Sequence, residues 1–295
     1  MILKKYKEFI NYPELNINES KKITINENGQ RVYNGDLKIT KRQVVDGKLK
    51  IKEIDIITGD FNCVGKDLTS LEGCPKEIGG SLSCDGNKLT SLEGGPEQVR
   101  GDFRFTENKL TSLVGVPKVS GSFWIGYNLL TSLEGCPKEI IGDFGCDGNK
   151  LKSLEGGPDQ VRGDFNCSFN KLLTSLQGCP AKVGGNFSCS YNQLTSLESG
   201  PKEVGGGFYC GGNKLTSLED YPKEVSGSFY CDNKIDIDIE IDFIKSGSYK
   251  DNYWLDLLNY MIKQNIDLDK VKGWPEGFLS DNLISSVKGI NKYKL

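Results

Sequence analysis

The chain of 295 residues has no histidine, two methionines and three tryptophans. Without histidine it lacks the commonest general base and the usual zinc ligand, so most hydrolase mechanisms lose their base and no metal or other cofactor is expected. A dominant charge is missing as well: 37 Lys and Arg stand against 40 Asp and Glu, a formal net charge of -3. Proteins that bind phosphate backbones normally carry a basic face, so nucleic acid is not an expected partner. Nor are there long apolar runs. In the opening MILKKYKEFINYPEL, Lys4, Lys5, Lys7 and Glu8 interrupt the hydrophobic residues, and neither a secretory leader nor a membrane span is expected. These absences predict a cytoplasmic protein, or one exported without an N-terminal signal, with no membrane partner.

What is present is a repeat. Copies such as GSLSCDGNKLTSLEGGPEQVR from Gly80 and GNFSCSYNQLTSLESGPKEV from Gly185 place one apolar residue per copy at Phe61, Leu82, Phe103, Phe123, Phe144, Phe165, Phe187, Phe208 and Phe229. The spacing is about 21 residues with one-residue slips, and a period of this length signals a solenoid. Within each copy Gly-x-Phe-x-Cys alternates as a short strand does, with Phe and Cys facing inward. Asn87, Asn108, Asn128, Asn149, Asn170, Asn192 and Asn213 follow three residues later, where a buried amide is expected to serve neighbouring rungs as a ladder. Leu-Thr-Ser-Leu comes next, then a glycine-rich step and a proline, which leave no room for a returning helix. The outer side is therefore expected to be extended or polyproline-like. Ile78, Val99, Val119, Ile140, Val161, Val183, Val204 and Val225 then point back inside.

Seven of the ten cysteines, Cys63, Cys84, Cys146, Cys167, Cys189, Cys210 and Cys231, share one repeat position with Phe105 and Ile125. A position that accepts Phe, Ile and Cys alike is an apolar core position, so the thiols are expected to be free and buried. At the ends the pattern changes. GDLKI from Gly35 and GKLKI from Gly47 are expected to supply the first strands, and residues 1–34 an N-terminal cap. The solenoid is expected over 35–235, with nine full repeats from about residue 59. Residues 236–295, where Trp254, Leu257, Leu258, Met261 and Ile262 fall at helical spacing, are expected to form a helical C-terminal cap.

The order apolar, Phe-x-Cys-x-x-Asn-x-Leu, Thr-Ser-Leu, Pro resembles a leucine-rich repeat of the short bacterial class. It is similar to the repeats of secreted bacterial effectors and of large bacteriophage proteins. The chain departs from the effector pattern in its Glu-Gly-x-Pro step and in Phe and Cys replacing the strand leucines. The resemblance implies a mainly β leucine-rich-repeat solenoid with a parallel sheet, an extended outer face and a small helical cap. It also implies a non-enzymatic protein-binding role, possible targets including a host immune protein. Effectors of this kind can carry a ubiquitin ligase domain, but the last cysteine here is Cys231 and the segment after it is too short for one. The Gly-Gly-x-Gly-x-Asp pattern of calcium-binding solenoids is absent as well.

Partner binding is expected on the concave sheet, where the copies differ most. Its centre is expected at Trp124, flanked by Arg104, Tyr127, Phe169, Tyr191, Tyr209 and Tyr230, with Asp102, Asp143 and Asp164 selecting a basic or hydroxyl-rich surface. Exposed aromatics supply contact area at low entropic cost, which suits protein recognition. The same aromatics beside carboxylates leave glycan or small-ligand binding as the alternative. The Lys-Glu pairs after each proline, such as Lys202 and Glu203, read as a solvated outer row.

Overall fold

The structure, a computed structural model, describes residues 22–51, 54–215 and 220–231. The chain coils into a parallel β-solenoid of about nine turns, each turn contributing one two-residue strand to a front sheet and another to a back sheet. The front sheet has ten strands in chain order, from Leu37–Lys38 through Phe61–Asn62 to Phe229–Tyr230. Its register sets Phe103 beside Phe123, Phe123 beside Phe144 and Phe165 beside Phe187. The 21-residue period thus becomes a column of buried rings whose centroids lie 5.0–6.2 Å apart.

The core between the sheets holds five apolar side chains per turn: the front aromatic, the cysteine-column residue, both leucines of Leu-x-x-Leu, and the valine or isoleucine of the back strand. Each contributes roughly 1.5–3 kcal/mol when fully buried. All ten thiols are free, the seven of the front column are buried, and only Cys179 is partly exposed. Burial pushes up the thiols of Cys63, Cys74, Cys84, Cys146, Cys167, Cys179 and Cys189, and that of Cys136 to about 12.

The return limb is extended as expected, and its pairing was not foreseen. Glu77–Ile78, Gln98–Val99 and their successors form a back sheet of parallel two-residue strands. Proline ends one limb without interrupting the ladder because it sits just before the paired residues. The back sheet divides between Lys118–Val119 and Glu139–Ile140 into blocks of six and five strands. The division follows the one short interval, Phe103 to Phe123, in which the limb after Pro117 has lost a residue. On the outside, charges pair from rung to rung, Lys182 with Glu203 at 2.7 Å and Arg162 with Glu139 at 2.7 Å, all of them well exposed.

At the start, the two predicted strand motifs part company. Leu37–Lys38 heads the front sheet beside Phe61–Asn62, whereas Lys48–Leu49 pairs antiparallel with Val44–Val45 in a separate hairpin. An antiparallel pair, Ile23–Ile25 with Arg31–Tyr33, opens the back sheet. One helical turn, Lys41–Gln43, occurs among the described residues. The predicted C-terminal helices and the first 21 residues lie outside them.

Two side-chain ladders hold the turns in register. In the first, the buried asparagine spans adjacent rungs as expected. Asn87 Nδ2 donates to the carbonyls of Cys84 and Cys63, both at 2.9 Å, while its Oδ1 accepts from Leu68 N and Lys66 N. The second was not foreseen. The side chain preceding each front aromatic accepts the backbone N–H of its counterpart one rung on, running through Asp36, Asp60, Ser81, Asp102, Ser122, Asp143, Asp164 and Asn186 at 2.7–3.1 Å. It ends at Gly207, which has no side chain to continue it. A glycine enters each front strand because the corner touches the rung below: a Cβ on Gly163 would lie 2.8 Å from Gly142 C.

Candidate functional site

The front face carries four outward positions per rung. The first is the acceptor column just described, so Asp102, Asp143 and Asp164 each spend Oδ1 on the next rung's backbone. Asp102 Oδ2 also accepts from Arg104 Nη2 at 3.0 Å. Burial works to raise the Asp102 carboxyl, but the Ser122 N–H and the Arg104 guanidinium outweigh it and hold the group below the ordinary aspartate range. The second position follows the aromatic: Arg104, Trp124, Gly145, Asn166, Ser188, Tyr209 and Tyr230. The third follows the cysteine column and includes Asp85, Gly126, Asp147 and Ser168.

The fourth position closes the turn with left-handed backbone in every rung, φ 50–66° at Gly65, Gly86, Glu107, Tyr127, Gly148, Phe169, Tyr191 and Gly212. Glycine occupies this conformation without strain, whereas an L side chain costs about 1–2 kcal/mol there. Four rungs use glycine. Three others carry aromatic rings, and all three are about half exposed: Tyr127 50%, Phe169 45% and Tyr191 52%.

The predicted aromatic residues fall into two groups. In the first, Trp124 is half-buried, with the Arg104 guanidinium 5.9 Å from its ring centroid, and its rung also bears Tyr127. In the second, Phe169 stacks on Tyr191 at 4.8 Å with planes 9° apart, and the Tyr191 ring lies over Gly212. Tyr209 and Tyr230 adjoin it in register on the last two front strands. Tyr209 folds back over Gly207, where the acceptor column stops. No protein-family model, curated protein or solved structure matches the chain. The face itself therefore carries the functional reading.

Three residues next to Trp124, namely Gly126, Gly145 and Asp147, were missing from the predicted site. The indole lies over Gly145, where a Cβ would collide with Cε3 and lie 2.8 Å from Cζ3. Asp147 Oδ1 occupies the space above Gly126, and the Tyr127 ring covers Gly148. Burial raises the Asp147 carboxyl against the pull of its own N–H, and burial likewise raises Asp85, opposed by the Thr106 N–H and Arg104. Among the described residues Trp124 Nε1 is buried and finds no acceptor. The sequence signal was alignment: glycine at 126, 145 and 148 faces a large residue on the neighbouring rung. Among the described residues no cluster of three or more Cys, Asp or Glu could hold a metal ion, and no helix is long and apolar enough to cross a membrane.

Proposed function

We propose that this protein is a non-catalytic binding module of the leucine-rich-repeat kind that docks a protein partner on the front-sheet face. The observation that carries the reading is the aromatic ridge at the fourth position. Tyr127, Phe169 and Tyr191 hold left-handed backbone where glycine serves four equivalent rungs, and about half of each side chain faces solvent. A sequence shaped by stability alone gains nothing from bulky residues at strained, exposed positions, whereas recognition does. With rungs about 4.8 Å apart, the aromatic strip from Trp124 to Tyr230 extends about 24 Å, enough for a protein epitope.

The glycan alternative is less favoured because sugars stack on free ring faces. Phe169 and Tyr191 stack on one another, and the Tyr127 and Tyr191 rings each lay one face on a glycine. The likeness of the repeats to those of secreted bacterial effectors and large-phage proteins extends the proposal to a host protein as the partner, bound and blocked.

The test is differential capture. Wild type, Trp124→Ala, Tyr191→Gly and the back-face variant Lys202→Ala are immobilised and exposed to the same candidate host lysate, each checked for unchanged thermal stability. The reading expects a protein retained by wild type and Lys202→Ala and lost by both front-face variants. Loss with Lys202→Ala alone overturns it.

A further inference from the structure

The rungs of Phe123 and Phe144 interlock at three successive outward positions. Trp124 faces Gly145, Gly126 faces Asp147, and Tyr127 faces Gly148. One rung thus supplies two rings with a gap between them, and the next supplies a carboxylate that enters the gap. Asp147 Oδ1 would lie 2.6 Å from a Cβ built on Gly126 and 3.5 Å from one on Gly145, so the carboxylate sits beside the indole.

Simple packing does not account for this choice of residues. Asp85, the equivalent aspartate three rungs earlier in the coil, spends Oδ1 on the Thr106 N–H at 2.7 Å. Asp147 makes no such bond, because Ser168 N donates instead to Asn166 Oδ1 at 3.1 Å. Among the described residues no other residue donates a hydrogen bond to its carboxylate, although it is partly buried. A half-buried carboxylate with so little hydrogen bonding is costly, as are the unpartnered indole N–H beside it and the left-handed Tyr127. Three unfavourable features converge on one spot of the face.

We propose that Trp124, Tyr127 and Asp147 form a subsite for one basic side chain, a lysine or arginine of the protein partner. The proposal rests on the front-face docking reading and names the chemistry that reading leaves open. A cation placed over a phenol ring within about 6 Å of its centroid is attracted by the ring's electron density, and a carboxylate beside it supplies the counter-charge. Arg104 already stands 5.9 Å from the indole centroid and pairs with Asp102 at 3.0 Å, so the Tyr127 ring and the Asp147 carboxylate are left to take the added cation, with Trp124 as the wall beside them. Glu107, one rung before Tyr127 in the same turn position, adds a further exposed carboxylate. Charge and shape therefore select a positive side chain over a neutral one.

The experiment titrates the full chain with three capped tripeptides, acetyl-Gly-Lys-Gly-amide, acetyl-Gly-Arg-Gly-amide and the neutral acetyl-Gly-Gln-Gly-amide. The indole N–H resonance of Trp124 is the reporter, assigned by its loss in Trp124→Phe. The expected result is a saturable shift with the lysine or arginine peptide at a Kd of about 1 mM, and none with the glutamine peptide. Asp147→Asn and Tyr127→Gly, both compatible with the local backbone, should each weaken that binding about tenfold. Equal shifts with all three peptides, unchanged titrations in both variants, or no titration by either basic peptide would overturn the subsite. If the subsite fails while Trp124→Ala and Tyr191→Gly still abolish capture, only the basic-residue inference falls. If capture fails too, the docking reading falls with it.

Discussion

Asn170 is the most deeply buried member of the asparagine ladder, and removing its amide should show how much the ladder contributes. Its side chain is fully buried; Oδ1 accepts from Asn149 N at 3.1 Å and Leu151 N at 3.3 Å. Nδ2 donates to the carbonyls of Cys146 and Cys167 at 3.1 and 3.0 Å. In Asn170→Ala the two N–H groups lose these acceptors, at about 1–3 kcal/mol each for a buried unsatisfied group. The carbonyls lose less, because Asn149 Nδ2 still reaches Cys146 O and Asn192 Nδ2 still reaches Cys167 O. The expected loss is therefore about 4 kcal/mol, a large part of a typical folding free energy. Asn213, partly buried near the end of the described solenoid, should cost less on the same change because water can replace part of what its amide supplies there. Urea unfolding followed by circular dichroism measures both, with exposed Lys171→Ala as the control, expected within about 0.5 kcal/mol of wild type. A loss below about 1 kcal/mol for Asn170→Ala would refute the claim that the amide ladder sets the register.

Other outcomes follow from the same geometry. Intact mass without reductant should show no loss of hydrogen from the ten cysteines, and thiol reagents should label the native protein slowly, because no disulfide forms among them and nine of the ten are buried. Stoichiometric disulfides would contradict the core assignment. Asp147→Asn should raise the melting temperature near pH 7. The native carboxyl is raised by burial, so its relative stability is full below the ordinary aspartate pKa and lost as pH rises through the folded value; the gain from Asn should vanish near pH 3. A gain that persists in acid would contradict this. Glu107→Gly removes an exposed side chain at φ 57° and should stabilise by about 1 kcal/mol in urea unfolding, whereas a loss would show that Glu107 makes contacts essential to the fold.

Much of the fold was legible because a stacked column repeats its chemistry. Phe103, Phe123 and Phe144 mark the front core, the cysteines a position that accepts any medium or large apolar side chain, and Asn87 to Asn213 a position that needs donor and acceptor together. The back sheet was not legible. A two-residue strand such as Glu77–Ile78 is too short to show alternation, and its pairing depends on the neighbouring rung. The acceptor column was not legible for a different reason: Asp, Ser and Asn are also ordinary surface residues, and only their cross-rung bonds reveal the ladder. Within the site, the aromatic residues stood out against small neighbours, but the left-handed turn did not. Its signal was present in the alternation of glycine at 65, 86, 148 and 212 with Glu107, Tyr127, Phe169 and Tyr191. Asp147 was inconspicuous because its importance comes from the glycine opposite it, a relation between rungs that one copy read alone does not contain.

The most direct test of the central claim is hydrogen–deuterium exchange on the captured complex against the free protein. Docking on the front face predicts added protection in peptides covering 123–128, 144–148 and 165–170, with the back strands around Glu139–Ile140 and Glu203–Val204 unchanged. Protection confined to the back strands, with the front rungs exchanging as in the free protein, would contradict it.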